Sequence, residues 1–540
     1  MSLHLCNPST FSSLLLPIST SLLALTTTPV TNYSASVPAI YRLTAPAISY
    51  ANLSFCNITL TYTHPGQNDS VTIETWLPAS SSNLTVTTST NATNPAHPWN
   101  SRLLAVGGGG YRAGRFDLSY FGMKGGLGEG YATITTDAGL GSAETARSWA
   151  LLSEGNVNLY NLQNLGTASL GDMGLIGKEI IRAFYGRGPE YSYFNGCSQG
   201  GRQGMVIAQR FPGLFDGIVA GAPAVYWSEA MGGFQWPQVV MNEGGEWPYG
   251  CEIDAIGEEA TRQCDGLDGV VDGIVQEVEG CLDRFDPFGM VGREVECVQL
   301  GGKNITITEA AAAVVNKTWH GRERVDGRRA WYGLSPGSDL TVNGSGIVAT
   351  NCTEDGCVGK PNLLGTDWFE LFVEKSLTAD VSNMSHKELD RFVKATKQEF
   401  GSLLETDDAD LTEFKRQGGK LISWHGLIDQ LLSPKATERY YQDVSATVPE
   451  TQEFYRHYEV PGLEHCFNGP SGNPLELLGQ LRAWVEDGIA PEASPVNVTR
   501  LDGTTEARVL CPYPQKAKLD ASCTEGVCWI CENATRLPLF

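Results

Sequence analysis

The sequence predicts an α/β fold, with a mainly parallel central sheet covered by helices and interrupted by one large insertion. Three observations predict it. Strand-like and helix-like runs alternate near both ends of the chain. A long, irregular, cysteine-bearing stretch separates the two alternating halves. A glycine-flanked serine stands where a strand passes into a helix.

Taken in order, residues 1–50 are rich in Ser, Thr, Leu and Pro and are expected to wrap the outside of the core. Ser54–Thr63 and Val71–Leu77 alternate apolar and polar residues as strands do, and Arg102–Val106 runs straight into Gly107–Gly110. Tyr131–Thr135 is a further strand, Asp172–Tyr185 a helix and Tyr191–Asn195 a short strand. From Tyr226 to Gly418 the pattern breaks into long loops with scattered helices such as Asp380–Phe400. Alternation resumes with Lys420–Trp424, a helix at Pro434–Val444, the strand Glu453–Val460 and a helix at Pro474–Asp487. The expected organisation is an N-terminal segment (1–50), an α/β domain (51–225 and 419–540) and an inserted domain (226–418).

The formal charge of −23 excludes nucleic acid and anionic membrane surfaces as partners, since both demand Lys/Arg patches. No run of 18 or more apolar residues is present, so no membrane span is expected. The 14 cysteines, spread along the chain, indicate disulfides and an oxidising compartment. Cys528 and Cys531 form a C-x-x-C without a second half at zinc spacing, which disfavours a zinc ribbon. Glycosylation sequons at Asn32, Asn52, Asn57, Asn68, Asn83, Asn91, Asn304, Asn316, Asn343, Asn351, Asn383, Asn497 and Asn533 point to a secreted glycoprotein. Phe11–Leu25 is broken by Pro17 and preceded by no Lys or Arg, so it makes a poor signal peptide.

Gly196-Cys197-Ser198-Gln199-Gly200 matches G-x-S-x-G, follows a strand and opens a helix. That context makes Ser198 the candidate nucleophile and the backbone N–H of Gln199 an oxyanion donor. An incidental Gly-rich turn is the plain alternative. A serine hydroxyl needs a base, and in this topology the acid and then the histidine follow the nucleophile. His4, His64 and His97 precede it, and His320 and His386 lie in the insertion. His457 falls inside a strand and reads as a core residue. His465 stands in the loop after that strand, where a base belongs. His425 and Asp429 share the loop after Lys420–Trp424, which makes Asp429 the acid orienting His465 and His425 a structural neighbour. Together these features describe an α/β-hydrolase fold with a large inserted lid domain.

Cys197 precedes the serine and Cys466 follows the histidine, and here the chain resembles the tannase/feruloyl esterase family of secreted carboxylic ester hydrolases. The resemblance implies Ser198, Asp429 and His465 as the triad and a Cys197–Cys466 disulfide between the two loops. It is carried also by Ser423-Trp424-His425-Gly426-Leu427-Ile428-Asp429 and by Gly107–Gly110, from which Gly109 or Gly110 would donate the second oxyanion N–H. In the lid, the stretch Cys264 to Ile274 resembles the family's calcium site. The implied ligands are Asp265, Asp268 and Asp272 with the carbonyls of Val270 and Ile274, hard oxygens suited to a structural Ca²⁺. Cys264–Cys281 and Cys6–Cys56 are implied as further bridges.

The implied reaction is acyl transfer through Ser198 on a small phenolic ester or on plant cell-wall polysaccharide. Hydroxycinnamoyl (feruloyl) esters are the first expectation and galloyl esters, the tannase activity, the second. Of the lid aromatics Trp319, Trp331, Tyr332, Trp368, Phe369 and Phe372, each reads as core before it reads as a ring-stacking residue. A non-catalytic binding protein on a hydrolase fold is the reading from another class.

Overall fold

A computed structural model describes residues 3–80, 84–88, 99–520, 522–523 and 528–533. The sequons at Asn83 and Asn91, and His97, lie outside them. The central sheet has ten strands. Nine form its path: β1 (Ser21–Val37), β2 (Ile48–Thr63), β3 (Val71–Ala79), β4 (Arg102–Val106), β5 (Ala132–Thr136), β6 (Tyr191–Cys197), β7 (Gly217–Gly221), β8 (Lys420–Gly426) and β9 (Tyr455–Val460). They lie in the order β1-β2-β3-β5-β4-β6-β7-β8-β9, and the short strand Thr85–Thr88 pairs with β2. The first three strands and the β3–β5 pairing are antiparallel, and from β5 to β9 every pairing is parallel. The parallel strands are buried on both faces, as near-continuous apolar runs such as Gly217–Gly221 require.

Residues 1–50 depart from their expected role. Instead of only wrapping the core, they supply β1, which pairs along nearly the whole of β2, and Cys6 is bridged to Cys56. The Ser/Thr-rich composition that hid this strand is that of an edge: its side chains are mostly exposed, so little apolar periodicity is written into it.

The helices that position the site are α1 (Ser169–Tyr185), α2 (Gln199–Arg210), α3 (Trp227–Gly244), α4 (His386–Leu404) and α5 (Pro434–Thr447). Helix α4 begins six residues later than the expected Asp380, because Ser385 caps it: its hydroxyl accepts from the Glu388 N–H while the Glu388 carboxylate accepts from the Ser385 N–H.

The insertion lies between β7 and β8 and builds its own core around Trp319, Trp368, Phe369 and Phe372. That core also takes Tyr111, Trp149 and Leu162 from segments that follow β4 and β5, so the lid is rooted in the catalytic domain rather than hinged upon it. After β9 the chain ends in two antiparallel hairpins, Ser494–Thr499 with Thr505–Leu510 and Gln515–Leu519 with Trp529–Asn533. Seven disulfides cross-link the described residues, and Cys528 and Cys531 are each in one, to Cys523 and Cys511.

Candidate active site

Ser198 occupies the turn between β6 and α2 with φ +63° and ψ −121°, a conformation an L-residue holds only when its surroundings enforce it. The enforcement is visible. The Ser198 N–H donates to Gly221 O at 3.0 Å, and a Cβ on Gly196 would lie 2.6 Å from the Gly200 backbone. Only glycine at 196 lets the helix start so close to its own strand.

Asp429 sits in the loop after β8 and is fully buried. Its Oδ2 accepts from His465 Nδ1 at 2.7 Å and from His425 Nε2 at 3.0 Å. Its Oδ1 accepts from the N–H groups of Leu431 and Leu432, both at 2.8 Å. Burial by itself would raise this carboxyl, but His465, His425 and their hydrogen bonds hold it well below the usual carboxylate range. His425 Nε2 faces two acceptors, Asp429 Oδ2 and Leu432 O, so it carries the proton, while Nδ1 accepts from Thr437 Oγ1 at 2.7 Å. His457 is buried within β9, bonded to Ser423 Oγ at 2.9 Å, and pushed down to about 3 by burial and by His425.

The Cys197–Cys466 bridge joins the residue before Ser198 to the residue after His465. It spans 269 positions of sequence and holds the two Cα atoms 6.0 Å apart. Among the described residues Ser198 Oγ and His465 Nε2 make no hydrogen bond, a contact that commonly tightens only in a substrate complex. With Nδ1 turned to Asp429, His465 leaves Nε2 as its free nitrogen.

The oxyanion donors need one correction. The N–H of Gly109 is spent on Arg112 O at 3.0 Å, and that of Gly108 on Gln203 Oε1 at 2.9 Å. Gly110 lines the pocket together with Ser198 and Gln199, which leaves its N–H, with that of Gln199, as the candidate pair of oxyanion donors. The two-residue turn Gly109–Arg112 decides this, and the run of four glycines alone could not distinguish them.

The pocket at Ser198 has a volume of about 350 Å³, including its mouth, and walls of Tyr111, Trp227, Met231, Phe234, Leu364 and the Leu431–Leu432 pair. The side-chain amide of Gln199, which also lines the pocket, is buried with neither atom hydrogen-bonded. The Tyr111 hydroxyl is already committed to Leu364 O at 2.6 Å. Sequence reasoning missed these wall residues. Tyr111 directly follows the flagged Gly110, and Leu431 and Leu432 stand two and three positions after the flagged Asp429. Arg202, one turn into α2, is also buried and donates to Leu404 O (2.8 Å) at the C-terminal end of α4 and to Gly166 O (3.3 Å), tying the nucleophile helix to the lid.

The aspartates expected to hold calcium share one loop of the lid. Asp265 Oδ1 accepts from the N–H groups of Asp272 and Ile274, Asp268 Oδ1 from that of Val270, and Asp272 Oδ2 pairs with Arg508. Among the described residues no set of three or more His, Cys, Asp or Glu stands ready around one point as a metal site. The donors Asp265, Asp268 and Asp272 have calcium's hard-oxygen chemistry but are not preassembled, because their near oxygens serve the loop backbone and Arg508. Cys264–Cys281 does close this loop. Of the lid aromatics, Trp319, Trp368, Phe369 and Phe372 are core, whereas Trp331 and Tyr332 are half-buried at a second cavity.

A model of the tannase and feruloyl esterase family matches residues 80–528. The chain belongs to the tannase and feruloyl esterase family. It is 36% identical over 483 residues to a protein of Arthroderma benhamiae named "Probable feruloyl esterase", a match covering 87% of this chain and 84% of that one. Among solved structures it resembles the tannin acyl hydrolase of Aspergillus niger, with a TM-score of 0.83, 28% identity, and 98% and 95% of the two chains covered. Feruloyl esterase B of Aspergillus oryzae superposes with a TM-score of 0.73 at 25% identity, covering 96% and 98%. The chain is therefore a carboxylic ester hydrolase of α/β-hydrolase fold with a lid. No described helix is long and apolar enough to cross a membrane.

Proposed function

We propose that the chain hydrolyses phenolic acid esters, hydroxycinnamoyl esters first, through an acyl-enzyme on Ser198. The observation that carries this is the 2.7 Å bond from His465 Nδ1 to buried Asp429, one residue from a disulfide whose other end adjoins Ser198. His465 Nε2 takes the proton of Ser198 Oγ as that oxygen bonds to the ester carbonyl carbon. The oxyanion is held by the N–H groups of Gln199 and Gly110. The carbon–oxygen bond to the alcohol then breaks, and the alcohol leaves with the proton returned by His465. Water repeats the sequence on the acyl-enzyme, releasing the acid and restoring the serine. Asp429 keeps the imidazole in the required tautomer and stabilises its charged form.

The apolar walls around Ser198 suit an aromatic acyl group carrying few hydroxyls. The likeness to the Aspergillus niger tannin acyl hydrolase supports galloyl esters as the second reading. Hydrolysis of methyl ferulate and methyl gallate, with and without Ser198→Ala, tests both. Release of gallate alone makes the activity tannase-like, and turnover that survives Ser198→Ala overturns the serine mechanism.

Secretion is part of the proposal, supported by the seven disulfides and by exposed sequon asparagines such as Asn68, Asn304 and Asn383. Asn57 drops out of that set, since it is half-buried and donates to Glu74. We also propose that Ca²⁺ binds Asp265, Asp268, Asp272 and the carbonyls of Val270 and Ile274, bracing the lid without entering the chemistry. Calcium retained through gel filtration, and a melting temperature lowered by EDTA, are expected. A metal-free protein indifferent to EDTA overturns it.

A further inference from the structure

The loop after β4 that carries Gly110 is a tight hairpin with two arms. Gly109 and Arg112 exchange backbone hydrogen bonds of 3.0 and 3.1 Å, which leaves Gly110 and Tyr111 as its two-residue tip. Gly110 has φ +60°, the left-handed value that the first tip residue of a type II′ turn needs. The arms, Gly108–Gly109 and Arg112–Ala113, lie so close that a Cβ on Gly108 would stand 2.0 Å from Arg112 O. At its base the hairpin rests on the nucleophile helix. A Cβ on Gly107 would lie 2.7 Å from Gly200 Cα and 2.8 Å from Gln203 Oε1.

Gln203 is fully buried and stands one turn of α2 after Gln199, on the same helix face. Its Oε1 accepts the Gly108 N–H at 2.9 Å, and its Nε2 donates to Ala113 O at 2.9 Å. Among the described residues no other side chain bonds to both arms. The tip is held separately, by the Tyr111 hydroxyl on Leu364 O of the lid. The two candidate oxyanion donors thus come from different parts of the chain, Gln199 from the helix and Gly110 from the hairpin. We infer that Gln203 is a positioning residue for the oxyanion, clamping the Gly110 hairpin onto the helix that carries Ser198 and Gln199. An amide suits the task because it accepts from one arm and donates to the other. An ionised carboxylate lacks the donor, a lysine lacks the acceptor, and an apolar side chain lacks both. A satisfied core amide with no part in the reaction would contribute stability alone. The inference rests on the acyl-enzyme reading at Ser198, and not on which phenolic ester is cut.

The test compares wild type with Gln203→Met, which keeps the length but loses both bonds, and with Gln203→Asn, too short to span both arms. Each is measured for kcat and KM on methyl ferulate, and for inhibition by an aryl trifluoromethyl ketone and by ferulate. Ser198 Oγ adds to the ketone carbon as its proton passes to His465, which leaves an alkoxide in the oxyanion position. Ferulate reports binding without that adduct. Deleting an oxyanion donor costs on the order of 100- to 1,000-fold in kcat, so displacing one should cost Gln203→Met about 10- to 100-fold. The ketone inhibition constant should rise as kcat falls, while KM and the ferulate constant stay within about threefold of wild type. The melting temperature of Gln203→Met should also fall, since a buried N–H and C=O lose their partner. Gln203→Asn should show a smaller loss in the same pattern, and decides the matter if Gln203→Met does not fold. If wild type leaves methyl ferulate uncut, that failure falls on the phenolic-ester reading, and p-nitrophenyl acetate carries the same comparison of kcat. Folded variants that keep kcat within about twofold, or that lose kcat while the ketone binds as tightly as before, overturn the inference and leave Gln203 a structural residue.

Discussion

Replacing both Cys197 and Cys466 by serine cuts the tie between nucleophile and base without touching either. The bridge encloses 269 positions of chain, shortened by the nested bridges Cys251–Cys297 and Cys352–Cys357. On the chain-entropy argument a loop of that order stabilises the fold by about 5 kcal/mol, which for a chain this long is only roughly 4 °C in melting temperature. The double variant should therefore still fold at 25 °C. Catalysis should suffer more than stability. Ser198 and Cys466 both hold left-handed backbone angles, φ +63° and +65°, and the bridge is the covalent link between these two turns. A displacement near 1 Å between serine oxygen and imidazole costs on the order of 100-fold, so kcat should fall about 10- to 100-fold with KM little changed. The assay is steady-state hydrolysis of methyl ferulate at 25 °C, beside a thermal melt of the same preparation. A folded double variant with kcat within twofold of wild type would refute the claim that the bridge aligns the site.

Three further outcomes follow from the same geometry. Asp429→Asn, which keeps the shape and removes the charge, should reduce kcat roughly 10⁴-fold with little change in KM, read by single-turnover hydrolysis. Burial holds His457 at about 3, below its unfolded value near 6.5, so its contribution is intact above pH 6.5 and is lost as pH falls from 6.5 towards 3. His457→Gln should flatten that acid limb in melts between pH 4 and 7, and an unchanged slope would rule this histidine out. Gln199→Leu removes a buried amide that no protein group satisfies, so the melting temperature should hold or rise. If the amide contacts the acyl ring, kcat/KM for methyl ferulate drops beyond its value for methyl cinnamate.

Much of this was legible in the sequence because the chemistry is local in sequence. A strand, G-x-S-x-G and a helix start within a dozen residues place Ser198, and the loops after β8 and β9 place Asp429 and His465. What the sequence hid is set by contacts between distant segments. Gly109 and Gly110 differ only in that Arg112 turns back onto the first. Trp331 and Trp368 are the same residue type in the same insertion, yet one lines a cavity and the other is core, and only packing separates them. Strand β1 was invisible because an exposed edge carries no apolar alternation. The aspartate loop reads as a metal site along the chain, while Arg508, 236 positions away, turns out to hold one of its carboxylates.

Asp429 links the two halves of the enzyme's task. Its Oδ2 orients His465 and its Oδ1 fixes the N–H groups of Leu431 and Leu432. Those two leucines, with Ala224 and Ala230, are common to the cavity at Ser198 and the larger cavity beside it. The carboxylate that sets the imidazole therefore also holds the backbone of a wall shared by the two cavities, through hydrogen bonds of 2.7 and 2.8 Å to one buried group. Asp429→Asn and Asp429→Ala should consequently separate. The asparagine keeps an oxygen for the leucine backbone and should lose kcat alone. The alanine frees the loop that lines the Ser198 pocket and should also raise KM for methyl ferulate and lower the melting temperature. If both variants keep the wild-type KM, the wall is held by the leucine side chains and not by the acid.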